Sequence, residues 1–360
     1  MPSLSLGLGL HKNRIFASEQ NASPIPQSGL SLWLKADAGV NTAPQTFISQ
    51  IVVSGAGTAD SNGTYTRTSG GTSTFYKNGT PGGNNIYFED GYESSGLNFY
   101  LYDYQNDTNT YIITIKKSEI IDSSIAGGDA PLPTFTTTLT ATGNYEVNTW
   151  ADQSGNSNNA IANATEEPTF VSSFLNGKPA IEFNGQGQVM QIADANSLDF
   201  LNTSCFIVLK YLGDGSGNDV IYIKNADDGS PADPAVYGMV GTLGLFNGNL
   251  DWPVSSAAQA WPDLDSYINI ADGTPRLLSM TYDGTDIITY DAGVQTSSNE
   301  LGGNMLTSTG LLQIGGYNLS FGASEYFNGQ IAEIIMYNRA VSSTERQQVE
   351  AYLNTKYAIY

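Results

Sequence analysis

The chain reads as an all-β protein closed by one short C-terminal helix, and three observations predict this. Helical periodicity is almost absent before the last turns. Gly (39), Tyr (21) and abundant Thr and Asn suit strands and turns. Short alternating runs recur with Asn-Gly or Asp-Gly between them. The closing stretch is the clearest element. Ile331, Glu333, Ile335 and Tyr337 alternate with Ala332, Ile334 and Met336, and both sides are largely apolar, as in a strand covered on two faces. Ser342 with Glu345 three residues on then forms a capping box, and Val349, Tyr352, Leu353 and Tyr357 follow at helical spacing.

The other elements follow in chain order. Leu4, Leu6, Leu8 and Leu10 fall on one face of an extended leader, and the Pro-punctuated Asn21–Pro26 separates that leader from the rest. An exposed unpaired strand of this kind would aggregate. The leader is therefore either an edge strand folded onto its own sheet or an arm added to a sheet of another chain. Residues 30–40 open the body. Residues 46–143 have their own rhythm: runs at 51–53, 62–67, 73–77, 86–88, 98–102 and 110–115, punctuated by turn signals, make a small antiparallel β domain. Such an insertion is placed in a surface loop, where its host tolerates it. From Val147 strand candidates are continuous, except for a looser stretch over 226–272.

Four segments carry a family resemblance. They are Gly29-Leu-Ser-Leu-Trp-Leu-Lys-Ala-Asp-Ala-Gly-Val40, Val147-Asn-Thr-Trp-Ala-Asp-Gln-Ser-Gly-Asn-Ser-Asn-Asn-Ala160, Asn176-Gly-Lys-Pro-Ala-Ile-Glu-Phe-Asn-Gly185, and the closing strand with its helix. In this order they resemble the concanavalin A-like, laminin-G-type sandwiches. The resemblance implies an antiparallel β-sandwich over 28–45 and 144–360, with 46–143 inserted in its first loop and 1–27 as an N-terminal attachment arm and linker. It implies a fold rather than a function, because such sandwiches carry lectins, glycosidases and plain scaffolds. The leucine leader, a basic turn and then a laminin-G-like body also resemble structural proteins of tailed bacteriophages, and the Gly-x-Tyr rhythm of the insert is similar to small accessory domains of phage fibres. That second resemblance implies synthesis in a host bacterial cytoplasm, a place on the virion surface, docking on other virion proteins through the arm, and homo-oligomers, trimeric by analogy.

Composition narrows the function classes. With 35 acidic against 14 basic residues the net charge is -21, which opposes nucleic acids and anionic membranes. No apolar run reaches the length of a membrane span. The N-terminus lacks the basic-then-apolar order of a secretion signal, so none is expected. Cys205, the sole cysteine, forms no intrachain disulfide and lies in an apolar run that reads as core. His11 is the sole histidine, so Ser-His-Asp and Cys-His schemes find no support. Paired carboxylates would suffice for glycoside hydrolysis, but the Glu-x-Asp-x-x-Glu strand pattern of sandwich-type glucanases does not occur.

A non-enzymatic protein is therefore expected, one that binds host-surface glycans. Its rivals are a purely structural capsid decoration, a carbohydrate-active enzyme and a bacterial adhesin module. Trp33 and Trp150 lie in strand patterns and read as core. Trp252 and Trp261 lie in the looser region, where rings could stack on sugars; with Asp263 and Asp265 they are the glycan-contact candidates. No cofactor is required. Calcium is the ion the spacing admits, because Asp152 with Asn156 and Asp214 with Asn218 place oxygens at alternate positions. A self-bonded Asx turn explains the same residues.

Overall fold

The computed structural model describes residues 23–55, 63–67, 75–77, 86–93, 96–103, 108–116, 119–125, 134–163, 166–213, 218–224, 242–246, 249–252, 265–305, 307, 309–318 and 324–360. The leader with Leu4, Leu6, Leu8, Leu10 and His11 lies outside these residues, as do Asp214, Trp261 and Asp263.

The opening strand β1 (Leu30–Lys35) is followed by β2 (Val40–Ser54), which leaves the body of the molecule. A meander follows: β3 (Gly63–Arg67), β4 (Phe75–Lys77), β5 (Ile86–Glu93), β6 (Gly96–Asp103), β7 (Thr108–Lys116) and β8 (Glu119–Ile125), each antiparallel to its predecessor. The long strand β9 (Thr134–Trp150) then returns beside β2 all the way from Ser54↔Thr134 to Val40↔Trp150. Both strands run through the expected domain edges at 45/46 and 143/144. A break in register between Pro44 and Thr46 falls there, opposite Gly143 at φ 87. The extra residues of that bulge bend the ribbon where it leaves the body.

The body continues with β10 (Ala160–Ala162), β11 (Thr169–Leu175), β12 (Lys178–Asn184) and β13 (Met190–Ile192). Next come β14 (Thr203–Tyr211), β15 (Asn218–Lys224), β16 (Thr242–Phe246), β17 (Asn249–Asp251) and β18 (Asp265–Asn269). The chain ends with β19 (Arg276–Tyr282), β20 (Asp286–Asp291), β21 (Val294–Glu300), β22 (Leu312–Ile314), β23 (Gly316–Asn318), β24 (Ser324–Tyr326), β25 (Asn328–Tyr337) and the helix α1 (Ser343–Tyr357).

Pairing sorts these strands into two layers. One runs β11-β12-β25-β14-β19-β20-β21, with β1 sharing the flank of β25 beyond β12. The other runs β9-β10-β13-β22-β15-β16-β17-β18. Among the described residues a single pairing, Thr169↔Glu146, joins them at one edge. Between the layers lies the main core, with Trp150, Phe183, Ile207, Met280, Ile314 and Ile334 among its members. Cys205 belongs to it too, and burial pushes its thiol up to about 12, so it is an inert core residue at neutral pH.

A second core lies outside the first layer, beneath α1. The helix begins with the capping box: Ser342 Oγ accepts from Glu345 N–H, and the Glu345 carboxylate accepts from Ser342 N–H. Val349, Leu353 and Tyr357, one turn apart, are buried against Trp33, Phe206, Ile335 and Tyr337. Each such side chain contributes about 1.5–3 kcal/mol of burial, more than the capping contacts supply. Arg346 and Glu350 are buried on the same helix. Arg346 lies 3.9 Å over the Tyr290 ring and 2.6 Å from Glu350, which also accepts from Ser279.

Strict alternation fails on β25. Opposite Val208 and Leu209 the register skips Ala332, a β-bulge. Ile331 therefore joins Ile334 and Met336 in the inner core, while Ala332 joins Ile335 and Tyr337 under the helix. The expected grouping of Ile331 with Glu333, Ile335 and Tyr337 is corrected accordingly. One extra residue on the strand exchanges the faces, and it leaves Ala332 and Glu333 both turned toward α1.

Candidate functional site

On the helix side of β25 a carboxylate stands in an apolar layer. Glu333 is 0% exposed. Its Oε1 accepts from Trp33 Nε1 at 2.6 Å and from Tyr352 O–H at 2.9 Å, and its Oε2 accepts from Lys356 Nζ at 2.7 Å and Tyr357 O–H at 2.9 Å. Lys356 also reaches Asp37 at 2.8 Å. Four donors from β1 and α1 thus satisfy one buried charge, as a buried ion requires. Burial lifts the Tyr352 and Tyr357 hydroxyls well above their usual range, and the neighbouring Glu333 charge adds to the effect. The fold keeps both protonated, so their contribution to stability is intact below the unfolded value of 10.0 and is lost as pH rises past it. Urea unfolding between about pH 9 and 11 is expected to show stability falling from about pH 10 upward, by about 1.4 kcal/mol per pH unit for each tyrosine.

Over this cluster lies an open groove of about 520 Å³. One wall is the helix face of Gln348, Tyr352 and Thr355, spaced at i, i+4 and i+7. Lys35 at the end of β1, Asp37 in the following turn and Lys178 line the groove as well. Lys35 Nζ sits 4.6 Å from the Trp33 ring centroid, and Trp33 meets the Tyr352 ring edge-on at 6.1 Å. Lys178 follows the Asn176–Gly177 turn, whose two residues take positive φ (50° and 67°), the geometry of a tight hairpin. Asn176 Nδ2 fastens this turn to α1 by donating to Lys356 O at 3.0 Å.

The residues singled out from sequence fall elsewhere. Trp252 is fully buried in the main core and donates Nε1–H to Tyr222 Oη at 2.9 Å. Its expected contact with a glycan is corrected: the ring fills the inter-sheet space and offers no face to solvent. Asp265 starts β18, and its side chain, like that of Asn218, lies outside the described residues.

Asp152 and Asn156 do not form half of a calcium loop. Asp152 Oδ1 accepts from Trp33 N–H (2.9 Å) and Ser154 N–H (2.8 Å), and Oδ2 accepts from Ser154 Oγ–H (2.6 Å) and Asn158 N–H (3.0 Å). Asn156 presents its amide nitrogen, at 2.9 Å from Leu30 O and 3.1 Å from Ser31 O. Every one of these contacts joins a protein donor to an acceptor, so the alternating residues are corrected to an Asx turn that staples the end of β9 to β1. No group of three or more His, Cys, Asp or Glu side chains among the described residues could hold a metal ion. Asp152→Ala is expected to cost about 2–4 kcal/mol in urea unfolding, whereas a calcium chelator leaves the melting temperature unchanged.

Two facing antiparallel sheets, a bulged central strand and a helix strapped over the outer face make an all-β sandwich. Residues 184–345 match the family described as the Concanavalin A-like lectin/glucanases superfamily. No curated protein sequence matches the chain. Among solved structures it is similar to the binding domain of Paraclostridial Mosquitocidal Protein 1, at 14% identity and TM-score 0.45 over 57% of this chain and 50% of that one. It is also similar to the botulinum neurotoxin serotype D binding domain, at 12% identity and TM-score 0.41 over 57% and 48%. Domain 4 of AbnA, an extracellular arabinanase from Geobacillus stearothermophilus, matches at 15% identity and TM-score 0.38 over 54% and 89%. The chain spans about half the length of the first two.

Proposed function

We propose that this chain is a non-enzymatic, lectin-like binding protein that engages a saccharide, held on a larger particle of the tailed-phage virion kind through its leader. The observation that carries the binding half is the open groove of about 520 Å³ beside α1, built on a helix and strand ends rather than on long loops. The lectin/glucanase match over 184–345 supports it. Binding is favoured over hydrolysis because of the state of the carboxylate that lines the groove, Asp37, and of the one beneath it, Glu333. Glu333 has no exposed surface and already holds four donors, and Asp37 is tied to Lys356. Neither is placed to pass a proton to a bound substrate.

The virion half rests on sequence: the leucine leader at Leu4, Leu6, Leu8 and Leu10, its Pro-rich linker, and the resemblance to phage structural proteins. In this reading the leader adds to a neighbouring virion protein, the copies associate, and the sandwich faces outward at the virion surface. A glycan array probed with the full chain, with and without calcium, tests the binding half. Retention of a defined saccharide set irrespective of calcium is the expected result, and no retention at all would leave a decoration protein. Deleting residues 1–20 is expected to abolish incorporation into the particle; unchanged incorporation removes the tether.

A further inference from the structure

We propose that the groove beside α1 takes an anionic saccharide, its negative charge held between Lys35 and Lys178. This rests on the lectin-like reading above and narrows it to a class of ligand. The chain has 35 acidic residues and 14 basic ones, so most surface cations have a carboxylate to meet. Lys356 follows that rule: its ammonium is matched twice, by Asp37 and Glu333. Lys35 and Lys178 do not follow it. They line the same groove, and among the described residues neither enters an ion pair. Both are half-buried rather than extended into solvent.

Each lysine is also held in place. Lys35 lies over the Trp33 ring, which is fixed by its own bond to Glu333. Lys178 is carried by a two-residue turn fastened to the helix end. Two positioned cations beside the Tyr352 ring focus a positive potential in a cleft of an otherwise acidic molecule. Tyr352 suits a sugar beneath that charge. Its hydroxyl is committed to Glu333, so the ring is what remains to offer. Gln348 and Thr355, exposed on the same helix face, add neutral hydrogen-bonding groups for hydroxyls. A lysine ammonium accepts a carboxylate or a sulfate without a fixed approach geometry, so the shared chemistry is the anion on a sugar.

The test uses the full chain on immobilised oligogalacturonate, its methyl ester, a sulfated galactan and a panel of neutral oligosaccharides. The ester keeps the sugar and removes only the charge. Retention of the acid or of the sulfated chain at least about tenfold tighter than the ester is expected, and the stronger of the two identifies the anion. Lys35→Gln and Lys178→Gln are each expected to weaken that binding about tenfold with unchanged circular dichroism, a charge-assisted contact being lost in each case. Lys210→Gln, on β14, is expected to change nothing. An ester held as tightly as the acid, or acid binding that survives the double lysine variant, overturns the anionic groove while the lectin reading stands. A chain that retains no saccharide of any kind overturns the lectin reading itself.

Discussion

Glu333→Ala is expected to destabilise the protein by about 3–5 kcal/mol in urea unfolding, the range for breaking one side of a buried ion pair. The substitution removes the acceptor of four donors at once. Trp33 Nε1, Tyr352 Oη and Tyr357 Oη lose their bonds to it, and Lys356 keeps only Asp37. Donors left unsatisfied in a buried layer cost about 1–3 kcal/mol each, and the helix end they hold also forms one wall of the groove. Glu333→Gln separates charge from volume. It keeps one oxygen for Trp33 and Tyr352 but turns an amide nitrogen toward Lys356 and Tyr357, so a loss of about 2–3 kcal/mol is expected. Converting Glu333 and Lys356 together to Met removes both charges, and part of the stability is expected to return, because the ammonium that has lost its buried partner is one part of the penalty. A loss below about 1 kcal/mol for the alanine variant would show that the cluster does not hold α1 to the sheet.

The same cluster shows what a sequence discloses and what it hides. The two-sided strand and its capped helix were legible because both signals are local: alternation over 333–337, then Ser342 and Glu345 three residues apart. Trp33 and Trp150 read correctly as core, since each sits in an apolar alternating run. The bulge opposite Val208 and Leu209 was hidden. It depends on the partner strand's register, which β25 alone does not encode. The buried pairing of Arg346 with Glu350 had an available signal, the i,i+4 spacing of opposite charges, but charges at that spacing ordinarily face solvent. The groove had no such signal. Lys35, Lys178 and Lys356 lie far apart in the chain, and only β12 and β1 meeting on β25 under α1 bring them together.

Trp252 was misread for a physical reason, and it supplies the second large effect. Asn247-Gly-Asn-Leu-Asp-Trp-Pro253 has the composition of a loop. Yet β17 within it is a strand between β16 and β18, and it delivers the ring into the inter-sheet core. Trp252→Ala is expected to cost about 3–5 kcal/mol, the range for emptying an aromatic site in a packed core. Part of that loss comes from Tyr222, which is itself buried and loses the indole N–H donor. Trp252→Phe restores most of the volume but not the donor, and a smaller loss of about 1–2 kcal/mol is expected. The phenylalanine variant also discriminates between core and site. A ring that stacks on sugar would, when altered, weaken binding at constant stability. A ring that fills the core lowers the urea midpoint and leaves the affinity of the folded protein unchanged, and this second pattern is the expected one. Affinity falling in Trp252→Phe with no shift in the midpoint would return Trp252 to the binding surface.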